Sequence, residues 1–143
     1  MKTSSNGLKL TTDAEQLRLT AYKPTPNDVW TIGYGHTRGV KEGDTCSEAQ
    51  ALAWLQMDLA EAEHTVLTEV DVPLSQNQFD ALVDFVFNVG AGNFRSSTLL
   101  KYLNQRKFVL CSGELLKWNK QGGVILGGLV KRRRAEATLF DTP

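Results

Sequence analysis

Apolar positions recur along this chain with two periods, and the change of period divides it. Residues 4–15 carry Leu8, Leu10 and Ala14 at a loose helical spacing, which predicts a short first helix with those side chains inward. Residues 29–35 are aromatic, β-branched and broken by Gly33 and Gly35, which predicts strand and turn, continuing through Gly39-Val40-Lys41 as a small sheet or hairpin. Beyond that the period is helical. Thr45-Cys46-Ser47-Glu48 fits a capping box and opens a helix over 49–65, with Ala51, Leu52, Leu55, Leu59 and Ala62 on one face. Ser75-Gln76-Asn77-Gln78, after Pro73, is a second box and opens 79–89, where Phe79, Leu82, Val83, Phe85, Val86 and Phe87 leave almost no polar face.

A helix apolar on most sides belongs at the centre of a core. Gly90-Ala91-Gly92-Asn93 is expected to end it, and helical stretches over 96–103, 107–118 and 129–140 then alternate with breaks at Asn104-Gln105 and Gln121-Gly122-Gly123. The pattern predicts an α+β fold that is predominantly helical. A small N-terminal lobe carrying the hairpin faces a larger helical lobe, with a cleft between them for an extended polymer.

A chain of 143 residues with 41% apolar side chains can bury one core, and one domain is expected, without repeat or linker. Sixteen basic and sixteen acidic side chains cancel, so no global field draws the protein to nucleic acid or to anionic membrane. The one strong basic run is 131–134, Lys-Arg-Arg-Arg; on a terminal helix some of these must turn inward. Residues 1–7 lack the apolar stretch of a signal peptide, and no segment approaches the roughly eighteen apolar residues of a membrane span, so stable membrane insertion is not expected. Cys46 and Cys111 are too few for a disulfide framework or a four-ligand zinc site; two reduced thiols are the default and a bridge the minority reading.

The chemistry concentrates in two runs. Glu15-Gln16-Leu17-Arg18-Leu19-Thr20-Ala21-Tyr22 is followed, sixteen residues after its glutamate, by Thr31 within Trp30-Thr31-Ile32-Gly33-Tyr34-Gly35-His36-Thr37. These resemble the glutamate signature and the glycine-rich hairpin of bacteriophage lysozymes, the endolysins of T-even and lambdoid phages. Phe87-Asn88-Val89-Gly90 with Gly92-Asn93-Phe94 is similar to that family's cleft-side helix end. Trp118-Asn119 and Gly128-Leu129-Val130-Lys131-Arg132-Arg133-Arg134-Ala135-Glu136 resemble its C-terminal pattern, so the likeness spans nearly the whole chain.

The resemblance implies a lysozyme-like fold and a muramidase that hydrolyses the β-1,4 bond between N-acetylmuramic acid and N-acetylglucosamine in bacterial peptidoglycan, with no metal and no cofactor. It further implies a monomer held in the host cytoplasm until lysis and released by a holin, the phage pore protein. Breaking a glycosidic bond requires protonating a poor leaving group, the task of a carboxylic acid held neutral by its surroundings. Glu15 is assigned that role. Thr31 is assigned the positioning of the attacking water, since a hydroxyl both donates and accepts; by composition alone it is an ordinary strand residue. Gly35, His36, Phe87 and Asn88 are the expected substrate-side positions. Gly35 would let the backbone approach a sugar, and His36 reads as a structural or hydrogen-bonding histidine rather than a metal ligand. Asn88 reads equally as a partner for an N-acetyl group or as a helix-end residue. One of the arginines in 131–134 is expected to pack against Glu15.

In one place the chain departs from the family, which sets an Asp, in some members a Cys, between glutamate and threonine. Counting nine forward from Glu15 lands on Pro24, and counting six back from Thr31 lands on Thr25. The connector is one residue longer and lacks the carboxylate at either count. Asp28 is its only acid, either a substitute base or a turn residue, with the turn reading favoured, and Thr25 stands in the vacant place. Two alternatives therefore stay open: a degenerate member that binds peptidoglycan or cuts it by a transglycosylase route, and a membrane-active protein working through the basic C-terminal helix.

Overall fold

In the computed structural model, which describes residues 1–143, seven helices and two small antiparallel hairpins follow one another along the chain. Ser4 caps α1 (Ser5–Ala14), which runs into β1 (Arg18–Tyr22); a loop leads to its antiparallel partner β2 (Thr31–Gly33). The pairing shifts register between Arg18 and Tyr22, which marks a bulge. The helical part follows: α2 (Glu48–Glu69), α3 (Gln76–Val89), α4 (Ala91–Arg95), α5 (Thr98–Asn104), α6 (Phe108–Leu116) and α7 (Gly127–Phe140), with β3 (Lys120–Gln121) and β4 (Val124–Ile125) inserted before α7.

Every side chain from Phe79 to Val86 is buried, so α3 is the central helix its composition predicts. Ser75 caps it with both halves of the box in place: Gln78 N donates to Ser75 Oγ and Ser75 N to Gln78 Oε1. Around it pack α1, α2 and α7, and the ring of Phe85 meets Trp118 and Phe94 edge-on at 5.5 and 6.3 Å. The long α2 joins the lobes. Its first turns lie on β2, where Ala51 sits against Gly33, and its later turns, through Leu55, Leu59, Ala62 and Val66, pack on the core.

Several elements differ from expectation for identifiable reasons. The cap of α2 is Ser47, accepting from Gln50 N at 3.1 Å, not Thr45. Cys46 N is bonded to Leu19 O and Thr45 pairs with Thr20, so this segment is extended and the helix starts only after it. No strand continues through Val40; residues 37–43 turn, and the chain returns beside β1 at Asp44, whose carbonyl accepts from Ala21 N. Gly90, at φ +92°, does end α3, but α4 begins at once. Gly122 and Gly123, both at positive φ, form the two-residue turn of the β3–β4 hairpin rather than a plain break.

The first helix lies on the helical lobe and not on the hairpin lobe, and its buried positions are Gly7 and Thr11, with Ala14 exposed. Polar contacts make this crossing. Ser4 N and Oγ donate to Asp80, Thr3 donates to Glu63, and Thr11 Oγ1 donates to Asp84 Oδ1 at 2.8 Å. A Cβ built on Gly7 would fall 2.6 Å from Asp80 Cγ and 2.8 Å from its Cβ, atoms that the Ser4 and Gln76 bonds hold in place. Helix propensity favours alanine over glycine by about 1 kcal/mol, whereas overpacking costs about 1–3 kcal/mol. Gly7→Ala is therefore expected to lower stability in urea denaturation; a more stable variant would show that the α1–α3 crossing relaxes freely.

Candidate active site

Glu15 terminates α1. Its φ of −92° and ψ of 121° leave the helix, so the side chain at this corner turns to the cleft between the lobes. The cleft has a volume of about 400 Å³ and is lined by Glu15 and Gly35 on one side, Asp58 and Glu61 of α2 on another, and Phe87 and Asn88 at the end of α3.

One oxygen of Glu15 is tied down. Arg132 Nη1 on α7 donates to Glu15 Oε1 at 2.8 Å, while the same guanidinium donates through Nε and Nη2 to both oxygens of Asp84 on α3, at 2.9 and 2.8 Å. Because the guanidinium is planar, committing Nε and Nη2 to Asp84 fixes the direction in which Nη1 points. Burial works against the charge on Asp84, but hydrogen bonds from Glu136, Arg132 and Thr11 and the Arg132 charge outweigh it and hold the carboxyl down to about 2. Burial likewise opposes the charge on Arg132, and Asp84 and Glu15 more than restore it.

The other oxygen of Glu15 faces Gly35. A Cβ there would come within 3.0 Å of Glu15 Oε2, and the residue sits at φ +78°, so both space and backbone require glycine. Residues 12–136 match the phage lysozyme family. The chain belongs to that family.

Among relatives, an endolysin of Acyrthosiphon pisum secondary endosymbiont phage 1 is 42% identical, with 99% of each chain covered. The endolysin of Bacillus phage B103 is 46% identical over 99% of this chain, which spans 55% of that longer protein. Among solved structures, the muramidase domain of SpmX from Asticaccaulis excentricus superposes with a TM-score of 0.93 at 37% identity, covering 99% of both chains.

The remaining residues singled out in the sequence divide into those at the cleft and those away from it. Asn88 lines the cleft; its Oδ1 accepts from Arg133 Nη2 at 2.6 Å, while its amide N–H groups take no partner from the chain. Phe87 lies under the Arg132 guanidinium, 5.9 Å from ring centroid to Cζ. His36 is buried behind the hairpin. It stacks on Trp54 with ring centroids 4.7 Å apart, its Nδ1 lies 2.8 Å from Asp58 Oδ2, and its backbone closes a tight turn with Ile32.

Thr31 is buried in β2, pairs with Tyr22, and donates its hydroxyl to Val29 O at 3.1 Å. Thr25 and Asp28 close a turn on each other: Asp28 N donates to Thr25 O and Thr25 Oγ1 to Asp28 Oδ2, both at 3.0 Å. None of Thr25, Asp28 and Thr31 lines the cleft around Glu15. The basic run divides, with Arg132 and Arg133 buried and Lys131 and Arg134 exposed. Asp84, Asp58 and Glu61 were not foreseen. Asp80 and Asp84, one turn apart in an otherwise apolar helix, were the available signal for the first, whereas acids on α2 look like any solvated face.

Because the folded pKa of Asp84 lies below its usual 3.8, the stability it supplies is present at neutral pH and is lost as pH falls from about 4 towards about 2. Asp84→Asn, which leaves Arg132 short of a charge partner, is expected to cost about 3–5 kcal/mol at pH 7. That deficit should shrink as the pH of urea denaturation is lowered through this range. A deficit that does not change with pH would mean that the carboxylate charge is not what Asp84 contributes.

Proposed function

We propose that the protein is a muramidase of phage lysis, hydrolysing the β-1,4 bond between N-acetylmuramic acid and N-acetylglucosamine, with Glu15 as general acid. The observation that carries this is the division of labour at the Glu15 carboxyl. Oε1 is held by Arg132, while Oε2, which accepts no hydrogen bond from the chain, lies against Gly35 at the cleft wall and is the oxygen placed to deliver a proton to a leaving group. Arg132 fixes the acid in place, and Asp84 fixes Arg132. Asn88, at the same wall, offers its amide N–H groups to an N-acetyl carbonyl.

Thr31 is the residue we assign to the attacking water. Its hydroxyl donates to Val29 O and retains lone pairs that accept a hydrogen bond from a water, although Thr31 is buried in β2 and does not itself line the cleft. No carboxylate stands at Pro24 or Thr25, and Asp28 is engaged in its turn, so we assign no general base in the loop. The enzyme is expected to act as a monomer that waits in the host cytoplasm and reaches the wall through a holin; no helix is long and apolar enough to cross a membrane. The vacancy in the loop favours a second reading, a transglycosylase that closes the sugar on itself and needs no activated water.

Mass spectrometry of soluble fragments from Gram-negative peptidoglycan separates these. Reducing N-acetylmuramic acid ends are expected from the wild type and none from Glu15→Gln, with Asp28→Asn close to wild type. 1,6-Anhydro ends would establish the transglycosylase, and undiminished cleavage by Glu15→Gln would remove Glu15 from the chemistry.

A further inference from the structure

Among the arginines and lysines Arg133 is the most deeply buried, and the proposed reaction gives it no task. Arg132 serves Asp84 and Glu15, whereas Arg133, the next residue of α7, turns to a different part of the cleft wall. Its guanidinium is fixed from three sides. Cζ stands 5.0 Å from the centroid of the Phe85 ring, Nε lies 3.0 Å from Glu136 Oε1, and Nη2 donates to Asn88 Oδ1 at 2.6 Å. Phe85 is itself held edge-on by Phe94 and Trp118.

The bond to Asn88 is the one hydrogen bond this guanidinium makes; Nε and Nη1 have none, and the approach to Glu136 lies off the N–H direction. A buried ionic contact is weak evidence for stability, and what this one delivers is a direction. Arginine carries donors only, so the atom of the Asn88 amide that meets it must be the carbonyl oxygen. The opposite orientation would set N–H against N–H beside a buried cation. A free asparagine can present oxygen or nitrogen to a ligand by a half turn of its amide. Here the choice is made: Asn88 stands on the cleft wall with Glu15 and Phe87, and its nitrogen is the half of the amide that the chain leaves unbonded.

We propose that Arg133 is a positioning residue for substrate recognition: by holding the Asn88 oxygen it commits the Asn88 N–H groups to the cleft, so that this wall takes an acetamido carbonyl and disfavours the free amine of a de-N-acetylated sugar.

The two sugars differ in what they offer a fixed donor. An N-acetyl group brings a carbonyl that accepts from Asn88. A free amino group, protonated at neutral pH, brings only donors, so both partners are left unpaired, and the Arg133 charge behind the amide adds repulsion. Without Arg133 the Asn88 amide turns either way and meets either sugar. Loss of Arg133 therefore removes discrimination more than binding, and Arg133→Met keeps the stem of the side chain while removing its donors and charge.

This inference rests on the cleft being a peptidoglycan hydrolase site, and the test keeps the two apart. kcat and KM are measured on soluble uncrosslinked peptidoglycan, and on the same material after chemical de-N-acetylation, for wild type, Glu15→Gln, Arg133→Met, Asn88→Asp, Asn88→Ala and the double variant of Arg133→Met with Asn88→Ala. If wild type is inactive, or if Glu15→Gln is active, the functional reading fails. If that reading holds, wild type is expected to prefer the N-acetylated glycan. Arg133→Met is expected to raise KM on that glycan by about threefold to tenfold, the worth of one hydrogen bond, with kcat little changed and the preference reduced by the same factor. Asn88→Asp, which keeps an oxygen for Arg133 but has no N–H, is expected to lose the preference too. On the Asn88→Ala background Arg133→Met is expected to raise KM no further, because it acts through Asn88.

A wild type without preference, a preference intact in Arg133→Met or Asn88→Asp, or fully additive effects in the double variant would overturn the inference. Should Arg133→Met fail to fold, 15N relaxation of the Asn88 side-chain amide in free wild type decides, independently of any activity. An order parameter like that of rigid backbone, about 0.85, is expected, and one below about 0.6 would show that Arg133 does not hold the amide.

Discussion

The bidentate grip of Arg132 on Asp84 is the interaction on which the rest of the structure depends. It joins α7, the last helix, to α3, the central one, and through Thr11 it also fastens α1, the first. A buried ion pair is weak evidence for stability, because desolvation can consume what Coulomb attraction returns. Its value here lies in direction. The Nε–Nη2 edge of the guanidinium is committed to Asp84, so Nη1 points in a fixed direction, and it reaches Glu15, 117 residues away in sequence.

The second constraint sets the small lobe against α2. His36 stacks on Trp54 and reaches Asp58 while its backbone closes the turn that holds Gly35. Gly33 rests on Ala51 and Gly35 on the Glu15 carboxyl, at distances a side chain would fill. The hairpin is therefore docked at two points, one on the helix that bridges the lobes and one on the Glu15 carboxyl. Any shift of β2 relative to α2 moves the wall that Glu15 Oε2 faces.

Much of this was legible before folding. The box at Ser75, the near-continuous apolar run from Phe79 to Phe87 and the glycine punctuation of the hairpin are local signals with local causes, and they placed α3 and β2 correctly. Glu15 stood out because its neighbours form a recognisable signature. Other signals misled where tertiary pairing intervened: Thr45 had the residue type of a cap but is taken by pairing with Thr20, and Ala14 had the polarity of a core residue but lies on the outer side of a helix whose inner side is polar. The Gly122-Gly123 turn carried a hairpin signal that was read only as a break.

Sequence alone determined the family and the order of the main helices and singled out Glu15, because each rests on motifs whose residues lie close together along the chain. It did not determine which arginine of 131–134 meets Glu15, or that Asp84 orients it. These follow from the packing of α7 on α3, in which Arg132, Arg133 and Glu136 turn inward while Lys131 and Arg134 face water. A run of like charges has no preferred direction until a partner surface supplies one. The aspartates that supply it look, in a linear chain, like misplaced polar residues in an apolar helix.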